Sequence, residues 1–366
     1  MNLLRRTTRR YPGLGPDKTT VEFVRVPLSR RIEFSSAPRA AAAVVLICAL
    51  AGSLSSCGVR LDSAPPAIAS PPPSEVMRAE TVTSAEQIAS AARSLQGDPM
   101  AAQAGGAALL TSMEAGSSQH MERLGGIWTP PPRPTDSASA DVDSTPAPEA
   151  ATPAESLILL VDAFTQARAD SAHAADADAA KLLVSIALWR ASAAYQLGPF
   201  ATHGDGSLPV ALPTGGVDLT ALGLATFEDI DDLIRGVDAA AFGYEVLAAR
   251  STDESQRTSW VTRADDLRDQ AQVLAVAAGV DGTGSDPRSA VYDISGLIEA
   301  DALNSIVAME SSLATLWINA DVAPALRPLT VDAALASILL AHQVAPLAGL
   351  DSPAGVLPGL TMATAP

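Results

Sequence analysis

Carboxylates and histidines on the inner faces of long helices can hold iron or manganese, and this chain carries the acids without the histidines. A carboxylate-bridged pair of metals in a helical bundle draws on inward glutamates and two Glu-x-x-His motifs, because each ion takes hard oxygen ligands and one imidazole. No glutamate here is followed three residues later by histidine. The chain has four histidines, His120, His173, His203 and His342. A standard dimetal centre is therefore not expected, and neither a metal nor a cofactor is assigned. No serine or cysteine lies in a nucleophile motif. The acidic run "EDIDD" (228–232) suits a helix N-terminus through the macrodipole and needs no calcium. The expectation is a protein without catalysis.

A smaller polar constellation remains. Helical spacing puts Glu310 among Leu303, Ile306, Leu313 and Trp317. Arg263 falls between Trp260 and Leu267, and Leu335, Ile338 and Leu339 lead to His342. Asp238 sits at the edge of the stripe Ile230, Ile234, Val237, Ala241 and Tyr244. On one reading, Asp238, Glu310 and His342 would form a residual one-metal site. Arg263 argues for the other reading, a structural pair with Glu310 or Asp238, because a buried carboxylate must be paired or neutralised. Trp189, Tyr195, Phe242, Tyr244, Trp260 and Trp317 recur at helical spacing and are assigned to core packing.

These residues need helices to position them, and the spacing predicts an all-α chain. Hydrophobic residues make up 48% but aromatics only 4%, so alanine fills much of the apolar surface and favours close-packed helices. Strand alternation and Asn-Gly hairpins are missing. Helical patterns cover about 74–95, 99–124, 154–171 and 175–197, then 226–250, 254–279, 294–320 and 330–342. Residues 74–197 thus form an N-terminal helical region, interrupted by a disordered insert at 129–153. A Gly/Pro loop at 198–225 precedes a four-helix bundle at 226–345, and 346–366 form a flexible tail. The helices make either two four-helix bundles or one larger bundle.

The N-terminus carries an address. Arg30, Arg31 and Arg39 precede the apolar run "AAAAVVLICALAGSL" (40–54), which is short for a membrane span and suits a signal peptide. It ends in "LSSC", Leu54–Cys57, which resembles the lipobox of bacterial lipoproteins. That resemblance implies a signal peptide over 1–57 and a diacylglyceryl group on Cys57. Residues 58–73, "GVRLDSAPPAIASPPP", read as a Pro-rich tether. The net charge is -17, and the first 57 residues hold nine of the 24 basic residues but three of the 41 acidic ones. The chain beyond Cys57 is more acidic still, which argues against nucleic acid and against charge-driven binding to anionic lipid. Anchorage to the membrane would come from acyl chains.

Residues 227–345 resemble a ferritin-like domain of unknown function found in actinobacterial lipoproteins. The likeness rests on "DAAAFGYEVLAAR", "RADDLRDQAQVLAVAAG", "AVYDI" and "AMESSLATLW", with "HMERLGGIW" (120–128) as a segment that precedes the domain. Where that family shows a Glu-His pair this chain has Val237-Asp238, and where it shows a histidine this chain has Thr262. The resemblance implies a ferritin-like C-terminal bundle that has lost metal ligands. It also implies an envelope protein on the extracytoplasmic face of the cell membrane, with a binding or scaffolding role toward another envelope protein. A metal-binding or redox protein of the ferritin-like class is the alternative, and a carrier of an apolar ligand is a third reading.

Overall fold

Helix starts are written locally along the chain. The computed structural model describes residues 71–126, 151–216, 218, 230–293, 295, 301–350 and 358–360, and among them are eight α-helices and no strand. They are α1 (Pro73–Ser94), α2 (Gly106–Arg123), α3 (Pro153–Asp170), α4 (Ala177–Leu197), α5 (Asp231–Arg250), α6 (Glu254–Ala277), α7 (Ala302–Asn319) and α8 (Arg327–Val344). Thr152 and Glu155 close a capping box on α3, and Asp176, Asp253 and Asp301 accept backbone N–H groups at the starts of α4, α6 and α7. Proline opens α1 and α3 and lies in the first turn of α8, where its missing N–H leaves no bond unmade.

Several expected boundaries shift. The expected second helix starts at Gly106, because residues 99–102 form a 3₁₀ turn capped by Asp98. The expected start of the next helix at residue 226 lies outside the described residues, and α5 begins at Asp231. The signal peptide 1–57 with Cys57, the tether up to residue 70, and 129–150 of the insert also lie outside the described residues. The end of the segment assigned to the insert is structured, since Pro153 is the first residue of α3.

The helices form four antiparallel hairpins, α1–α2, α3–α4, α5–α6 and α7–α8, and each hairpin is followed by a change of course. Arg93 meets Glu114 near one end of the first hairpin, and Arg78 meets the Leu124 and Gly126 carbonyls near the other. Ala151 donates to Ser94 Oγ, so α3 starts where α1 ends and runs antiparallel to it. The same arrangement recurs in the second half. Tyr244 meets Glu310 while Gly236 faces Leu316, so α7 runs antiparallel to α5 and parallel to α6. Tyr292, which follows α6 in the chain, bonds Asp238 near the middle of α5.

Among the described residues, each half thus comprises two hairpins, with its third helix antiparallel to its first. The halves meet through their fourth helices. Ser192 contacts His342 and Tyr195 contacts Gln343, while Ala180 and Thr330 border one cleft nearer the helix starts, so α4 and α8 lie parallel.

Of the two arrangements left open by the sequence, the apolar core follows the larger one, running across the 198–225 boundary. Phe164, Ala167, Val184 and Leu188 of α3 and α4 belong to the same apolar cluster as α5–α8. Their other faces join α1 and α2 through Leu157, Leu160, Trp189 and Leu197. α4 is buried along most of its length, Ser185 and Arg190 included. Part of the expected flexible tail also packs: residues 346–348 continue a 3₁₀ turn from the buried Ala345, and Leu360 sits against Val82, Leu124 and Ile186.

Candidate functional site

The four polar residues singled out by sequence are all largely buried, but they occupy three places. Arg263 and Glu310 form one. Glu310 has no exposed surface, and Arg263 reaches it from α6 through two N–H donors, Nε to Oε1 at 2.9 Å and Nη2 to Oε2 at 2.7 Å. This fork-on-fork geometry is the strongest form of the pair. Tyr244 donates to Oε1 at 2.7 Å from α5, and Ser337 on α8 lies 3.5 Å from Arg263 Nη2. Each of the four helices contributes one polar group. Burial works to lower the arginine pKa, but the Glu310 carboxylate outweighs it and the net direction is up. Burial and the same carboxylate push the Tyr244 hydroxyl far up, so it remains a donor.

Asp238 lies elsewhere. It is six residues from Tyr244 along α5, about 9 Å of rise. Arg268 donates to its Oδ1 and also to Glu245 at 3.0 and 3.1 Å. Tyr292 donates to Oδ2 at 2.7 Å, and burial followed by this bond raises the Tyr292 pKa to about 12. The Tyr292 ring also packs at 5.9 Å from Phe242. The Arg263–Asp238 alternative is therefore not the one adopted.

His342 corrects the expected grouping further. It does not face Glu310 but turns to the other half of the chain, where Nε2 meets Ser192 Oγ. Burial lowers its pKa to about 4. Sequence reasoning assumed one buried face per helix, whereas α8 packs on α7 and on α4. With Asp238 and His342 facing other partners, the residual one-metal set does not assemble. Among the described residues no three of His, Cys, Asp or Glu converge as metal ligands would.

A second buried arginine was not anticipated. Arg190 of α4 has no exposed surface and donates to the Ala163 carbonyl at 2.9 Å, the Thr81 carbonyl at 3.0 Å and Ser84 Oγ at 2.8 Å. Burial lowers its pKa to about 10, with Asp170 opposing. It links α4 to α1 and α3 much as Arg263 links α6 to α7. The signal available in sequence was an arginine inside the apolar run "LLVSIALWRASAAYQL" (182–197). A wide cleft of about 870 Å³ lies between α3, α8 and residues 211–216, beside the Arg168–Asp332 pair and away from Glu310.

Compared with protein-family models, curated proteins and solved structures, the chain matches none.

Proposed function

We propose that this is a lipid-anchored cell-envelope protein, held on the extracytoplasmic face of the membrane through Cys57, whose ferritin-like C-terminal bundle serves binding or scaffolding rather than catalysis. The observation that carries the non-catalytic reading is the bidentate Arg263–Glu310 pair. A metal site at that height would use the Glu310 carboxylate, and here a guanidinium occupies both oxygens and repels a cation. The ferritin-like reading draws support from the connectivity of α5–α8, two hairpins joined by one long crossover. The anchor reading draws support from "LSSC" behind an apolar run, and from an acidic body that gives no charge-driven route to the membrane.

Two measurements test this. Metabolic labelling with a palmitate analogue should mark the chain and fractionate it with membranes, and Cys57→Ser should abolish both; an unlabelled, soluble wild-type chain rejects the anchor. Metal analysis of the purified chain should find no stoichiometric iron, manganese or zinc. Bound metal that disappears in Glu310→Ala would instead establish the alternative, a metal-binding or redox protein of the ferritin-like class.

A further inference from the structure

A cleft of about 310 Å³ opens on the outer side of the Arg263–Glu310 pair, bounded by α6, α8 and the backbone of Gly215 and Gly216. Gly215 makes this wall possible: a Cβ there would come within 2.1 Å of the Ala336 backbone nitrogen, so only glycine lets the 211–216 segment lie on α8. Gly216 N–H donates to the Asp332 carbonyl at 3.0 Å and holds the segment down.

The lining is polar and partly uncommitted. Gln270 is only 9% exposed, lines the cleft, and its side-chain amide has no hydrogen-bond partner among the described residues. The amide is not among the fully buried unpaired polar atoms, so it meets solvent at the cleft, where a ligand hydroxyl can take the place of water. Ser337 is 2% exposed, and its hydroxyl proton has no acceptor among the described residues. At the rim stand Asp266 and Asp269, one helical turn apart on α6, and neither forms an ion pair with another described residue. Asp266 acts on Arg263 only through space. Since Glu310 neutralises Arg263, the rim leaves the cleft with a net negative charge.

We infer that this cleft binds a small hydroxylated ammonium compound, an amino sugar or amino alcohol. Its ammonium sits between Asp266 and Asp269, and its hydroxyls satisfy the Gln270 amide and Ser337. Two carboxylates at the rim select the cation. An amide and a hydroxyl, each able to donate and accept, suit hydroxyl groups better than a bare alkyl chain. The volume lies at the small end of ligand sites and suits a single ring. The inference does not rest on membrane anchoring and goes beyond a scaffolding role.

Calorimetric titration of the full chain in detergent tests it, with glucosamine as probe in mildly acidic buffer. Glucose lacks the ammonium and putrescine lacks the hydroxyls, so they serve as controls. Saturable one-site binding of glucosamine is expected, with both controls about tenfold weaker or worse. Asp269→Asn and Gln270→Leu should each weaken glucosamine by about tenfold. Gln270→Leu removes an unpaired amide and should stay folded, as circular dichroism will check; Gln270→Glu, which adds a negative charge, should retain binding. Three results overturn the inference: no saturable heat, putrescine binding as well as glucosamine, or binding unchanged in Gln270→Leu. The second would mean attraction to an acidic surface in general.

Discussion

A buried charge is tolerable only with its partner, and Glu310 and Arg263 show what that dependence predicts. Removing one partner strands the other in the core. Glu310→Ala should lower unfolding free energy by about 3–5 kcal/mol, measured by urea denaturation. The double change Arg263→Met with Glu310→Leu should recover most of that loss, because desolvating the ion pair is itself expensive. A double variant as unstable as Glu310→Ala would show that the pair stabilises beyond its desolvation. His342 predicts a pH dependence of the opposite origin. Its pKa is lowered by burial from 6.5 to about 4, so the unfolded chain takes the proton first. Its contribution is fully present above pH 6.5 and is lost as pH falls toward 4, by about 3 kcal/mol. The neutral His342→Gln should flatten that part of the stability–pH curve relative to wild type; parallel curves would refute the assignment. Of these residues, Arg263 and Glu310 were legible from helical spacing. Arg268, Tyr292 and Gln270 were not, because a polar residue beside an apolar stripe looks the same whether it meets water or another helix.

Between elements, two glycines mark where helices approach most closely. A Cβ on Gly116 would lie 2.4 Å from Trp189 Cζ2, and that ring is held edge-on by His120 at 4.7 Å. A Cβ on Gly236 would meet only the end of the Leu316 side chain, at 2.2 Å from Cδ1. A tryptophan wedged between helices cannot step aside, whereas a leucine can rotate. Gly116→Ala should therefore destabilise by about 1–2 kcal/mol net of its gain in helix propensity, while Gly236→Ala should be near neutral. Equal losses in thermal denaturation would contradict this. The elements themselves were readable, since caps, prolines and apolar period are local. Contacts between them were not: "AVYDI" carries Tyr292, but nothing local says that this tyrosine will reach Asp238.

The described helices fall into two halves, each made of two hairpins. Residues 182–197 and 329–344 bear a trace of this, with identities at Leu182/Leu329, Val184/Val331, Ala187/Ala334, Leu188/Leu335, Ala194/Ala341 and Gln196/Gln343. These are the fourth helices, and they form the seam. Because α3 and α4 supply core to both halves, the chain should unfold in one cooperative transition. Residues 226–345 expressed alone should lack a sharp thermal transition, since Phe164, Val184 and Leu188 no longer cover them. Two separated transitions in the full chain, or a cooperatively folding fragment, would restore the view of two independent bundles.

The amino-acid order alone sets out the helices and places Arg263 with the carboxylates of Glu310 and Asp238 as its candidate partners. Those properties arise from residues a few positions apart, through capping and the period of the α-helix. It took the packed fold to assign Arg263 to Glu310 rather than Asp238, to turn His342 toward the seam with α4, and to leave Gln270 facing a cleft. Each depends on which helix lies opposite, a choice made by burying apolar faces across the whole chain, and a helix with two apolar faces does not announce its neighbours.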